Sequence, residues 1–201
     1  MKIDLSEYQA VIFDMDGTLI DTMPSHLHAW QATTDHFNVP FDREWIHSMG
    51  GKPSFKIAEA INARYSKTLD VYQVADYKMA SFAALEEKGN VISHTFDVLR
   101  AVHGNKKIAL GTGSQRQNAL SLLDDHKLTD YFDSIVTSSE VENYKPEPDT
   151  FLLAAKNLAI KSSQCVVFED TEMGMQAAHA AGMDCILVTA SGFEFMPLVQ
   201  S

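Results

Sequence analysis

The spacing of apolar residues divides this chain into two unlike parts. Between about residues 23 and 87, apolar residues recur every three or four positions, as on one face of a helix. From about residue 88 onwards, short β-branched runs alternate with helical spacing, and one further run lies near residues 10–14. The pattern therefore predicts an α/β unit with an all-helical segment inserted after its first strand.

Local signals mark the elements of the helical segment. Thr22 followed by Pro24 predicts a helix start with Thr22 as the N-cap. Pro53-Ser54 predicts a second start, and a third helix is expected from about Val71 to Lys88. The predicted domains are a core of residues 1–22 and 88–201 and a helical domain of residues 23–87.

The remaining strands fall where apolar runs alternate with helices. These runs are Lys107–Leu110, Ser134–Thr137, Cys165–Phe168 and Cys185–Val188. Such alternation is typical of a parallel sheet with helices on both faces. Open sheets of this kind place their chemistry at the carboxyl ends of the strands, so the residues that follow each strand are the candidates.

Composition narrows the possible partners. The formal net charge of −11 argues against nucleic-acid binding, and no apolar run approaches the ~20 residues that span a bilayer. The first residues lack a signal-peptide pattern, and Cys165 and Cys185 are expected to be buried thiols. We therefore expect a cytoplasmic monomer without membrane or nucleic-acid partners.

Carboxylates follow two of the predicted strands. Asp14 and Asp16 end the first, and Gly17 permits a sharp turn after them. Glu169 and Asp170 end a wholly apolar run. Clustered buried carboxylates repel one another, and Mg²⁺ would relieve that cost, with Asp170 reaching an ion held by Asp14 and Glu169 as a second ligand or water-holder. The first pair can also be read as a simple acidic turn.

Two other strand ends offer groups that suit a phosphate. Thr112, between two glycines and before a helix, could meet a phosphoryl oxygen, although the same run can be a plain turn. Ser114 fits a helix N-cap better than a ligand. Lys145 precedes a Pro-x-Pro segment that stiffens its loop, although a lone lysine there is often a solvated surface residue.

Together these motifs resemble the haloacid dehalogenase superfamily. The matching segments are Asp14–Thr18, Lys145–Phe151 and Glu169–Gly174, and Leu19–Thr22 narrows the resemblance to the β-phosphoglucomutase-like family. Within that family the chain is most similar to bacterial fructose-1-phosphate and 6-phosphogluconate phosphatases. The resemblance implies a Rossmann-like parallel sheet, a small helical cap domain, and hydrolysis of a small phosphorylated sugar or sugar acid.

The resemblance also implies roles for the strand-end residues. Asp14 resembles the nucleophile that forms an aspartyl-phosphate, and Asp16 the general acid and then the base. The implied Mg²⁺ ligands are the carboxylates of Asp14 and Asp170, with Glu169, and the backbone carbonyl of Asp16. The implied phosphate-binding residues are Thr112, Lys145 and Ser114.

The helical segment resembles the family's cap, in which a few residues would meet the substrate. His26 occupies the position of a residue that couples cap closure to Asp16, and Gly51 and Lys52 lie in a loop similar to the specificity loop. Lys78 lies within an apolar stripe, so it reaches either the rim or the cleft, and we expect the cleft.

Position 53 bears on the choice of reaction. β-Phosphoglucomutases carry an arginine in this loop that holds the second phosphate, whereas this chain has Pro53. A phosphatase needs to hold only one phosphate, which favours phosphatase over mutase. A non-catalytic binding protein is the third alternative, and the intact Asp14, Asp16 and Asp170 argue against it.

Overall fold

The computed structural model describes residues 3–199, which form a six-stranded sheet with flanking helices. The strands are β1 (Ala10–Phe13), β2 (Lys107–Gly111), β3 (Ser134–Val136), β4 (Cys165–Glu169), β5 (Asp184–Thr189) and β6 (Gly192–Met196). The helices are α1 (Met23–His36), α2 (Arg43–His47), α3 (Ser54–Tyr65), α4 (Val71–Ala83), α5 (Ser93–Val102), α6 (Arg116–Asp125), α7 (Asp149–Leu158) and α8 (Glu172–Ala180). The ends of the predicted core, residues 1–2 and 200–201, lie outside the described part.

The sheet order is β3-β2-β1-β4-β5-β6, and the first five strands are parallel, which confirms the predicted sheet. Strand β1 lies near its centre, between β2 and β4, and all four of its residues are buried. Its carboxyl end therefore delivers Asp14 to the middle of the sheet edge. Strand β6 was not predicted; it pairs antiparallel with β5 after a connection of small residues, Ala190-Ser191.

Helices cover both faces of the sheet, as predicted. In β1, Val11 and Phe13 pack on one face with residues of α5 and α6, whereas Ala10 and Ile12 pack on the other with residues of α7 and α8. The strand is therefore apolar at every position, as expected for a strand buried on both sides. Cys165 in β4 and Cys185 in β5 are buried and unpaired, as predicted.

Residues 23–83 contain helices α1–α4, with no strand in this stretch and a hydrophobic cluster of their own. Two predicted details were wrong. The short helix α2 was missed; the Asp42 side chain caps it by accepting from the Trp45 N–H. Helix α4 ends at Ala83 rather than Lys88, because Glu86 and Glu87 would be unfavourable at the negative end of the helix. The domain boundaries themselves stay predictions.

The two connections between the insert (residues 23–87) and the sheet run side by side. Ile20 and Val91 form an antiparallel bridge, and the Asp21 N–H donates to the Asn90 carbonyl at 2.9 Å. The insert therefore leaves and rejoins the core at one place, just beyond the carboxyl end of β1. No helix within residues 3–199 is long and apolar enough to cross a membrane.

Candidate active site

Asp14 and Lys145 form a buried ion pair at the centre of the sheet edge. The Asp14 N–H donates to the Phe168 carbonyl at 2.9 Å, which extends the pairing of β1 and β4 and fixes the direction of the side chain. The Lys145 Nζ lies 2.6 Å from Asp14 Oδ1 and 2.8 Å from Glu169 Oε1. The loop lysine is therefore held between two carboxylates and not on the surface.

Burial and charge act in opposite directions on this pair. Burial lowers the pKa of Lys145, but the Asp14 and Glu169 carboxylates outweigh it and hold the pKa above its ordinary value. Burial raises the pKa of Asp14 well above its usual range, against the pull of the Lys145 ammonium. Lys145 is thus a permanent positive charge beside a carboxyl group whose ionisation depends on that charge.

Glu169 is fixed from two sides. Its Oε1 accepts from Lys145, and its Oε2 accepts from the backbone N–H and the hydroxyl of Thr171, at 2.7 and 2.8 Å. A Cβ at Gly174 would lie 1.9 Å from the Glu169 Cδ, so only glycine leaves room for this carboxylate. The presence of glycine at position 174, five residues after Glu169, is therefore explained by packing.

Asp170 approaches the first loop closely. Its Oδ1 accepts from the Thr18 hydroxyl at 3.1 Å, and a Cβ at Gly17 would lie 2.2 Å from its Oδ2. Gly17 also has φ +85, so glycine is needed there both for the backbone conformation of the turn and for the close approach of Asp170. Burial, together with the Glu169 charge, raises the pKa of Asp170 to about 7.

Three carboxylates fit a metal ion. Asp14, Glu169 and Asp170 each offer one oxygen, and these oxygens lie within 4.8 Å of one another. Lys145 neutralises only part of this charge, and an oxygen-only donor set suits a hard divalent cation such as Mg²⁺. The Asp16 carboxylate does not belong to this group. The resemblance implied that Asp16 would bind the metal through its backbone carbonyl alone.

The Asp16 carboxylate instead collects hydrogen bonds. Oδ1 accepts from the Thr22 hydroxyl at 2.6 Å and lies 3.1 Å from His26 Nε2. Oδ2 accepts from the hydroxyls of Ser114 at 2.8 Å and Thr112 at 3.4 Å. Burial alone would raise the pKa of Asp16, but these bonds, led by the one from His26, hold it below its ordinary value. Asp16 is therefore an ionised base in this arrangement.

Two hydroxyls expected to cap helices serve Asp16 instead. Thr22 occupies the N-cap position of α1, yet its side chain makes no capping bond, and the N-cap of α6 is Gln115 and not Ser114. The N-cap interpretation of Ser114 was therefore wrong, and Thr22 was missed as a site residue. The sequence feature that could have identified Thr22 as a site residue is that it lies in the same short connection as Asp16.

Lys78 and His26 extend this network into the insert. The Lys78 Nζ lies 2.7 Å from His26 Nδ1, so a neutral His26 accepts from Lys78 and donates its Nε2–H to Asp16. Burial lowers the pKa of Lys78 to about 8, and burial together with Lys78 lowers the pKa of His26. Lys78 is only 3% exposed and faces the cleft, where we expected it.

A cavity of about 70 Å³ lies between the insert and these core residues. Its core side includes Asp14, Asp16, Thr112, Ser114, Glu169 and Asp170. Its insert side includes His26, Trp30, Ser54, Lys78 and Met79, with Gly51 and an exposed Lys52 in the same lining. None of the described residues that line it is an arginine.

Residues 11–188 match the family model of haloacid dehalogenase-like hydrolases. The chain belongs to this family. A fructose-1-phosphate phosphatase from Escherichia coli is 38% identical over 89% of this chain and 95% of the relative. A phosphatase of phosphorylated carbohydrates from Thermotoga maritima is 30% identical over 89% of this chain and 83% of its own length.

Solved structures of the family share the fold. A β-phosphoglucomutase from Clostridium difficile superposes with a TM-score of 0.82 at 26% identity, covering 90% of this chain and 85% of that one. A mutase of the family therefore shares the architecture described above, and the architecture alone does not decide between phosphatase and mutase.

Proposed function

We propose that this chain is a Mg²⁺-dependent phosphatase that hydrolyses small phosphorylated sugars or sugar acids through an aspartyl-phosphate. The main support is that Asp14, held by Lys145 and beside Glu169 and Asp170, shares one cavity with Asp16, which has a separate set of partners. The names of the Escherichia coli and Thermotoga maritima relatives support the same substrate class. We further propose that the protein works in the cytoplasm as a monomer.

In the first step, an Asp14 oxygen attacks the phosphorus while the bond from phosphorus to the sugar oxygen breaks. Asp16 gives its proton to the departing sugar oxygen. Lys145 and Thr112 stabilise charge on the other phosphoryl oxygens, with Ser114 beside them. Mg²⁺, held by Asp14, Glu169, Asp170 and the Asp16 carbonyl, would add positive charge at the same oxygens.

In the second step, water attacks the phosphorus and the bond from Asp14 to phosphorus breaks. Asp16 takes the water proton, so Asp14 is restored and Asp16 is protonated for the next cycle. Without substrate, the hydroxyls of Thr112 and Ser114 donate to Asp16. A bound phosphoryl group would draw those hydroxyls away from Asp16 and would place negative charge beside it. Both changes raise the pKa of Asp16, so that its carboxyl group can hold the proton that it donates.

The insert acts as a cap in this proposal, with residues 23–87 closing over the core formed by 1–22 and 88–201. In this arrangement the two parts are in contact: His26 lies 3.1 Å from Asp16, and Lys78 reaches His26. The roof of the cavity excludes bulk water while the phosphoryl group is transferred. His26, Gly51, Lys52 and Lys78 are the proposed substrate-side residues of the cap.

Removal of divalent metal should abolish activity. The buried Asp14 and Glu169 and the partly buried Asp170, with one lysine, leave excess negative charge that repels a phosphate ester, and a bound cation reverses that field. We expect no phosphate release in excess EDTA and full recovery on adding Mg²⁺. Phosphate release that continues unchanged in EDTA would contradict the metal assignment.

Product analysis distinguishes the phosphatase from the mutase, which the β-phosphoglucomutase neighbours make the second candidate. A mutase must hold a second phosphate, and a bidentate guanidinium suits that task. Here position 53 is proline, and no arginine is among the described lining residues. We therefore expect β-glucose 1-phosphate to give glucose and inorganic phosphate, measured by ³¹P NMR with and without added bisphosphate.

The same assay applied to a panel including fructose 1-phosphate and 6-phosphogluconate would rank the substrates. Glucose 6-phosphate that forms faster than inorganic phosphate would establish the mutase instead. A chain that releases no phosphate from any member of the panel would refute both reactions.

A further inference from the structure

Gly113 lies at a close approach between the backbones of the insert and the core. A Cβ at this position would lie 2.2 Å from the carbonyl oxygen of Gly51 and 3.0 Å from its carbonyl carbon. Both partners belong to the backbone, so no change of side-chain rotamer can relieve the contact. Any side chain at position 113 therefore requires that the backbone of the Gly51 loop, or of the segment around position 113, move until the two separate.

Glycine is present at the two positions for different reasons. Gly51 has φ +86, a conformation that other residues rarely adopt, while a Cβ there would meet only Lys145 Cδ at 3.9 Å and Thr171 Oγ1 at 4.0 Å. Gly113 does not have a left-handed φ, so its backbone would accept alanine. Position 51 needs glycine for its conformation, and position 113 needs it for the contact.

The contact lies next to residues of the proposed reaction centre. Gly113 stands between Thr112 and Ser114, whose hydroxyls donate to Asp16. A second contact, the edge-on packing of Phe55 in α3 against Tyr144 with ring centroids 5.7 Å apart, joins the insert to the loop before Lys145. The insert thus meets the core at a second place besides Gly113.

We infer that Gly113 is a specificity-determining residue, which sets how deeply the insert seats on the core and hence how large a leaving group the cavity admits. This inference rests on the proposed phosphatase activity. The cavity of about 70 Å³ is only several times the ~10–15 Å³ that a single water molecule needs. A displacement of the Gly51 loop by about 1 Å would enlarge this small volume and draw His26 and Lys78 away from Asp16.

Gly113→Ala should therefore change substrate preference. We expect kcat/KM for the best sugar phosphate to fall roughly 10- to 100-fold, because a 1 Å misplacement costs about that much. We expect p-nitrophenyl phosphate, whose leaving group needs little acid catalysis, to lose no more than about 3-fold. The ratio of the two values is the readout, since loss of folded protein lowers both equally.

Gly104→Ala is the matched control. Gly104 has φ +78 with nothing within 4 Å of a Cβ, so alanine there strains the backbone without touching the insert. Its substrate ratio should equal that of the wild type. Gly51→Ala disturbs the same contact from the other side and should shift the ratio in the same direction as Gly113→Ala, which keeps the test open if one variant does not fold.

A second measurement needs no turnover. Trp30 lines the cavity and is 3% exposed, so in a Trp45→Phe background its fluorescence reports access to the cavity. Acrylamide should quench Trp30 more strongly in Gly113→Ala than in Gly104→Ala. Unchanged quenching and an unchanged substrate ratio would overturn the inference. A wild type without activity would refute the proposed function, and the quenching comparison alone would then decide the seating.

Discussion

Asp14→Asn should abolish turnover of every phosphate ester, by a factor on the order of 10⁴ or more. The loss follows from the chemistry of the proposed nucleophile, because an amide oxygen does not form an acyl phosphate at a useful rate. The fold should survive. Asp14 is 4% exposed and accepts from Lys145 at 2.6 Å, and the amide oxygen of asparagine can accept the same bond.

Single-turnover experiments would test this expectation. With an excess of enzyme over p-nitrophenyl phosphate, wild type should release one nitrophenol per substrate and Asp14→Asn none, while circular dichroism shows the same fold. Asp125→Asn, at an exposed position at the end of α6, offers a control that makes the same substitution away from the cavity lining. An Asp14→Asn variant that keeps a tenth of the wild-type rate would mean that water attacks the phosphorus directly.

The sequence supports much of the site because parallel strands bring their carboxyl ends to one edge. Asp14, Thr112 and Asp170 are far apart in the chain, yet each follows a strand of the same sheet, and β1 lies between β2 and β4. Apolar runs and turn residues are local signals, so the strands could be predicted from them. Their convergence then follows from topology alone.

Long-range partners could not be predicted in the same way. Thr22 and Ser114 have the residue types of helix N-caps and lie close to helix starts, and only the folded chain brings their hydroxyls to Asp16. The pairing of His26 with Lys78 depends on how α1 and α4 pack within the insert. Strand β6 escaped prediction because it is short and none of its residues is fully buried, so the run gives only a weak hydrophobic signal.

The contrast between the two aspartates is the most informative feature of the site. Asp14 lies among charged groups, where burial and neighbouring carboxylates raise its pKa and Lys145 opposes them. Asp16, two residues later, lies among neutral donors that lower its pKa. Both residues follow the end of β1 at Phe13, but the Asp14 N–H still pairs with β4, whereas Asp16 lies in the turn beyond it, so their side chains take different neighbours. This separation supports distinct roles for the two, as nucleophile and as proton carrier.

Asp16→Asn should affect the two steps and the two kinds of substrate unequally. Without the acid, a sugar leaving group should depart some 10²- to 10⁴-fold more slowly, whereas nitrophenolate needs little protonation and should depart at nearly the wild-type rate. Without the base, the phosphoryl-enzyme should then persist. We therefore expect a burst of one nitrophenol per enzyme followed by slow turnover, and no burst with a sugar phosphate.

The substitution is well placed for this test because the site can accommodate it. An asparagine oxygen can accept from Thr22 and His26, and its NH₂ group can donate to Ser114 and Thr112, whose hydroxyls can reverse their direction. Ser114→Ala removes one bond to Asp16 but leaves its carboxyl group, so it should slow both substrates mildly and show no burst. Equal losses for the two substrates in Asp16→Asn, without a burst, would show that Asp16 does not carry the proton and acts only by holding the loop between β1 and α1.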